Sequence, residues 1–374
     1  MLFATRVIAI FAVALAPAAA SAGLVEDCTN LNHPDLSITA CSSYLTQAVP
    51  DGARHTALTF RGLAYQRKGR LDDALADFNE AIKLNPRDSL GYSNRANVYS
   101  AKGLYDASLA DFAEAIRLKP DDAKNYYNRS LLYTALKKQD LAIGDLTEAM
   151  KRDPKNAIFP YTRGVAHAAA GNLDHAIADY SEAIRLNPAY AYAYTNRASI
   201  YLDKGQADAA IADLTVAIRL NPQDLLNLYN RGAAYNGKKL PDLAIADLTE
   251  AMRRNPADPR PYINRGASYN MKGQYELAIT DLTRAIQLNP KIPQAFINRA
   301  NAYRASGNLE AAIADYSELA KLNPASAYAF EGRAMLLEKA GRKDEAIADY
   351  RKALSIKPDA RISSEALQRL GINP

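Results

Sequence analysis

From residue 55 to residue 360 the apolar and small positions fall into two runs per 34 residues, each spaced like one face of a helix. Proline marks the period at 86, 120, 154, 188, 222, 256, 290, 324 and 358. If the first unit is 55–88, these prolines all stand at position 32 of the unit. Position 8 is then always small, from Gly62 and Ala96 through Gly232 and Gly266 to Ala334. Position 20 is Ala except at Ser108, and position 27 is Ala except at Leu319. Position 11 is Tyr in seven units, and position 15 is Gly in seven. A glycine there ends the first helix as a left-handed cap. The second helix ends at the residue before proline, which avoids the α region. Each unit therefore predicts two antiparallel helices, with small residues at 8, 20 and 27 where they cross.

Agreement of several positions in phase over nine units resembles the tetratricopeptide repeat. The resemblance covers 55–360 and implies an all-α, right-handed α-solenoid of stacked antiparallel helix pairs. It departs from the family pattern at position 4, where Tyr, Phe, Leu and once Pro160 replace Trp. A stacked array needs a cap at each end. The segment 361–374, "RISSEALQRLGINP", is amphipathic and is expected to close the C-terminal end. At the other end, "DLSITACSSYL" at 35–45 is similar to the second helix "DLAIADLTEAM" at 242–252, so 23–54 reads as a degenerate repeat.

The first 22 residues do not fit this pattern. Arg6, the apolar run Val7–Leu15 and the small residues Ala20-Ser21-Ala22 have the layout of a cleaved export signal. The apolar run falls short of the roughly 20 residues that span a bilayer. Export to the periplasm or beyond is expected, and no membrane span. Cys28 and Cys41, the two cysteines of the chain, then pair most simply as a disulfide pinning the N-terminal cap.

Composition narrows the function more by exclusion. A net charge of +5 on 374 residues argues against a nucleic-acid partner. His33, His55, His167 and His175 show no metal-ligand spacing, and His167 takes the position-11 place of tyrosine. The acids of Asp72-Asp73 and Asp121-Asp122 sit at predicted helix starts, where the dipole favours them. No catalytic set, metal or cofactor is expected. The cations Arg67, Lys124, Arg260, Arg304 and Lys339 are too scattered to form the terminal-carboxylate clamp known in the family.

Two further series carry the functional expectation. Arg fills position 7 and Asp position 23 in every repeat, where the family pattern is apolar. Folding the hairpin about position 15 brings Arg231 beside Asp247, so the series reads as a structural ion-pair ladder and not as a basic stripe. The residue before it is Asn at 94, 128, 196, 230, 264 and 298. Neighbours on a helix point about 100° apart, so an arginine turned into the hairpin leaves the asparagine free to face the groove. An amide offers the donor and acceptor that a peptide backbone needs. The series resembles the asparagine ladder in the repeat domain of O-linked N-acetylglucosamine transferases. Tyr127, Tyr161, Tyr192 and Tyr229, at positions 2 or 5, are expected to line the same groove. The expected function is a non-enzymatic scaffold holding an extended peptide or protein partner. Self-association as an envelope protein and carbohydrate binding remain as alternatives.

Overall fold

The computed structural model describes residues 19–373, and the side chains from 23 onward. Most of the predicted export signal lies outside the described residues. Among them there are twenty-one helices and no strand. They form two compact units that divide after Asn187.

Unit 1 contains α1 (Ala19–Thr29), α2 (Pro34–Leu45), α3 (Asp51–Arg67), α4 (Leu71–Leu84), α5 (Ser89–Ala101), α6 (Tyr105–Leu118), α7 (Ala123–Ala135), α8 (Gln139–Arg152), α9 (Ile158–Ala169) and α10 (Leu173–Leu186). Unit 2 contains α11 (Ala191–Asp203), α12 (Ala207–Leu220), α13 (Leu225–Gly237), α14 (Pro241–Arg254), α15 (Pro259–Met271), α16 (Tyr275–Leu288), α17 (Pro293–Ala305), α18 (Leu309–Leu322), α19 (Ala327–Lys339), α20 (Lys343–Ile356) and α21 (Arg361–Arg369). Within each unit every helix packs on its hairpin partner and on the next helix in the chain, the stacking of an α-solenoid.

The small positions set how closely the helices approach. Ala244, Ala251, Ala278 and Ala285, at positions 20 and 27, are fully or almost fully buried. At position 8 a β-carbon on Gly266 would stand 2.6 Å from Leu282 Cγ at position 24. Position 15 takes the left-handed conformation, as at Gly69 with φ +72. Lys137 and Lys239 adopt it without the freedom of glycine, each at φ 57. The next first helix is often capped by a side chain: Asp88, Asp122, Asp224 and Asp258 each accept from a backbone N–H two residues on.

The N-terminal helices α1 and α2 repeat this plan with different chemistry. Ser37 Oγ donates to the carbonyl of Cys28 at 2.6 Å, as Ser108 at position 20 donates to Ala96 at position 8. Cys28 and Cys41 are joined in a buried disulfide where other repeats make the contact between positions 8 and 24. At the other end α21 stacks on α20, with Ala366 and Leu367 buried. Leu367 holds the phase of the position-7 arginine and is fully buried.

Candidate functional site

In all nine repeats the position-7 guanidinium grips the position-23 carboxylate with two parallel bonds. Nε donates to Oδ2 at 2.6–3.0 Å. Nη2 donates to Oδ1 at 2.6–2.8 Å. The aspartates are buried and the arginines about one-fifth exposed. Tyrosine at position 11 covers the guanidinium, as Tyr235 covers that of Arg231 at 5.9 Å. The hydrogen bonds it donates to Asp247 raise Arg231 above the ordinary arginine pKa, so the guanidinium stays charged.

Sequence reasoning missed the third bond. Nη1 of Arg231 donates to Thr215 of the preceding repeat at 3.0 Å. Within unit 2, Arg265, Arg299 and Arg333 reach Thr249, Thr283 and Ser317 in the same way. In unit 1, Arg61, Arg95 and Arg163 reach Ser42, Asn79 and Thr147. The signal was present in the small polar residues at position 25. Position 25 is Ala113 in the repeat before Arg129, and Arg351 in the ninth repeat. The arginine thus closes its own hairpin and ties it to the one before.

With arginine committed inward, the six asparagines Asn94, Asn128, Asn196, Asn230, Asn264 and Asn298 are all half-buried. Among the described residues the side chains of Asn94, Asn128, Asn230 and Asn264 make no hydrogen bond. Asn298 Oδ1 accepts from Gln294 one turn earlier, at 2.8 Å. The backbone of two of them is held by the preceding repeat. Asn236 and Asn270, at position 12, donate Nδ2 to the carbonyls of Asn264 and Asn298 at 2.8 and 2.9 Å. Unit 2 therefore carries four of the asparagines in consecutive repeats, and unit 1 the other two.

The four tyrosines differ in how much surface they offer. Tyr192 is 56% exposed. Tyr229 lies beneath the guanidinium of Arg260, 5.2 Å from its ring centre. Tyr127 spends part of its ring on Phe159 at 5.5 Å, and burial pushes its phenol pKa up. Tyr161 packs on Tyr180 at 5.9 Å. Tyr127 and Tyr161 are therefore partly packing residues, which their spacing alone did not reveal.

Two sequence profiles described as tetratricopeptide repeat match this chain, one over 93–157, 161–224 and 297–361, the other over 55–88 and 259–292. The chain belongs to the tetratricopeptide repeat family. A tetratricopeptide repeat protein from Parabacteroides merdae is 22% identical with a TM-score of 0.53, covering 66% of this chain and 98% of its own. The C-terminal part of a TPR repeat-containing protein from Cytophaga hutchinsonii is 19% identical at TM-score 0.53, covering 64% of this chain and 99% of its own. A chain from the crystal structure of the APC/C hetero-tetramer Cut9–Hcn1 is 17% identical at TM-score 0.50, covering 94% of this chain and 86% of its own. At these identities the likeness is one of fold. No match was found among curated protein sequences.

Elsewhere in this tetratricopeptide array, chemistry-bearing groups are few. Among the described residues no three His, Cys, Asp or Glu side chains converge as metal ligands, and no helix is long and apolar enough to cross a membrane. His167 and His175 stack at 5.1 Å, with His167 Nε2 3.9 Å from Asp179. At the C-terminal end Glu331 accepts from the N–H and hydroxyl of Ser363, at 3.3 and 3.0 Å, capping the first turn of α21 from outside. Glu338 accepts from Tyr350 at 2.9 Å and from Arg369 at 2.7 and 2.8 Å, fastening the same helix at its other end.

Proposed function

We propose that this chain is a non-enzymatic, exported scaffold that holds an extended peptide segment of a protein partner along its first helices. Tetratricopeptide repeat proteins bind protein or peptide partners, and the finer reading comes from one observation. Asn230 and Asn264 present half-buried amides with no internal partner, while the adjacent Arg231 and Arg265 are fully engaged. A partly exposed amide with no protein partner keeps a donor and an acceptor open to a ligand, and a peptide backbone supplies the matching pair at each step. Binding of that kind is tolerant of sequence, with Tyr192 and Tyr229 adding contact area. The buried disulfide supports an oxidising compartment, which agrees with the predicted export signal.

The test is a photo-crosslinking residue at Tyr192 in the native compartment, followed by identification of the captured segment. The variant Asn196→Ala/Asn230→Ala/Asn264→Ala is expected to weaken that segment's binding by about tenfold or more, with thermal stability nearly unchanged. Normal binding by the triple variant, or early unfolding, assigns the asparagines to the scaffold instead.

A further inference from the structure

The asparagine series of unit 2 stops at repeat nine, where Gly332 occupies position 6. A β-carbon there would stand 2.2 Å from Tyr316 Cε1, so the glycine makes room for that ring. Tyr316 in turn meets Tyr328, ring centres 6.2 Å apart, and Tyr328 is 53% exposed. Beyond this pair, between α19, α20 and α21, opens a cleft of about 420 Å3. Its apolar walls include Met335 and Ile362, both about half exposed, with Ala366 buried below. Large apolar side chains left open in a concave place mark contact with a partner more often than isolated surface leucines do.

Two acids and two bases line the cleft, Glu338, Glu365, Lys339 and Arg369, and they differ in whether they are paired. Glu338 has both oxygens engaged by Tyr350 and Arg369, and Glu365 faces Arg361 at 3.5 Å. Lys339 also lines the cleft, is exposed, and has no carboxylate partner among the described residues. Arg304, one repeat earlier on the first-helix face, likewise lacks one. The cleft therefore pairs an open apolar wall with unspent positive charge, while the asparagine series leading to it is uncharged.

We propose that this cleft is an anchor subsite, taking one large apolar side chain of the bound segment with an adjacent acidic side chain against Lys339. It rests on the peptide-groove reading above and adds specificity to it. The asparagines hold any extended backbone, and the cleft selects which stretch is held and in what register. A hydrophobic anchor beside a neutralised charge is the usual composition of an energetic centre in peptide recognition.

The probes are fluorescein-labelled peptides of about twelve residues, long enough to cross several repeats when extended. They are built from Gly, Ser, Asn and Thr with both termini blocked, and carry at one end Phe-Glu, Phe-Lys, Ala-Glu or no such pair, in both chain directions. Anisotropy titration with the full chain is expected to show the Phe-Glu peptide binding about tenfold tighter than the other three. Lys339→Glu should move the preference to the Phe-Lys peptide, and Ile362→Ser should erase the advantage of Phe over Ala. Both residues are exposed, so neither change threatens folding. Equal affinity for all four peptides, weakened alike by the triple asparagine variant, overturns the anchor and leaves the ladder standing. A Phe-Glu preference together with unchanged absolute affinities in the triple variant supports the anchor and removes the ladder. Binding of none of the peptides removes both.

Discussion

Asp247 receives both of its hydrogen bonds from one guanidinium, Arg231 Nε at 2.7 Å and Nη2 at 2.8 Å, in a place almost closed to water. Removing the acid alone leaves a largely buried cation unpaired, which is more costly than the pair is stabilising. Asp247→Ala is expected to cost about 3 kcal/mol in equilibrium unfolding, against about 0.5 kcal/mol for an exposed pair. Thr215→Val removes the bond from Nη1 along with the hydroxyl's own bond to the carbonyl of Ile211, and should cost about 1 kcal/mol, felt at the junction between repeats. A loss below half a kilocalorie for Asp247→Ala refutes the buried ladder.

The helix-ending position 15 offers a change in the opposite direction. Lys137 and Lys239 are exposed and held at φ 57, a conformation that costs an L-residue about 1 kcal/mol and glycine almost nothing. Lys239→Gly should therefore stabilise by roughly 0.5 kcal/mol, after the extra freedom of glycine in the unfolded chain is subtracted. A thermal midpoint at or below that of the parent would show that the backbone there carries no such cost.

Much of this was legible from the chain because a repeat shows its own consistency. The period, the helix pair and the meeting of positions 7 and 23 all follow from residues that recur in phase. The bond from Nη1 to position 25 was harder to foresee, because it joins two repeats and the partner alternates between Ser, Thr and Asn. Burial of Tyr127 was illegible for a different reason: its neighbour Phe159 belongs to one repeat only, and a contact without periodicity leaves no pattern. The same holds for Glu331 and Glu338, whose partners Ser363 and Arg369 lie in α21.

His167 gives the array a weakness toward acid. Burial lowers its pKa from the ordinary 6.5, the nearby carboxylate of Asp179 opposes that, and His175 and Arg163 add to it. A group that binds its proton less readily when folded leaves stability intact above the unfolded value of about 6.5 and removes it as the pH falls below. Seven other repeats carry Tyr at this position, so His167→Tyr should reduce the loss of thermal midpoint between pH 7.5 and pH 5.5. The other three histidines are present in both proteins, so the difference in slope reports on His167 and its contact with the stacked His175. Equal slopes would remove it as the acid-sensitive group.

Gly332 and Tyr316 meet where the asparagine series of unit 2 ends. In repeats six to eight the position-6 residues Asn230, Asn264 and Asn298 follow Leu214, Leu248 and Leu282 at position 24 of the preceding repeat. Before Gly332 that residue is Tyr316, whose ring fills the space a β-carbon would need. Gly332→Asn alone should cost about 2 kcal/mol, the expense of forcing atoms into a packed place. Tyr316→Leu alone leaves a gap against the glycine and should also destabilise. Together they recreate the combination of the preceding repeats, so the double variant should be more stable than the sum of the single losses predicts, by about 1 kcal/mol or more. Simple additivity in a double-mutant cycle would mean that Tyr316 swings aside freely. The end of the series would then be set by something other than this packing.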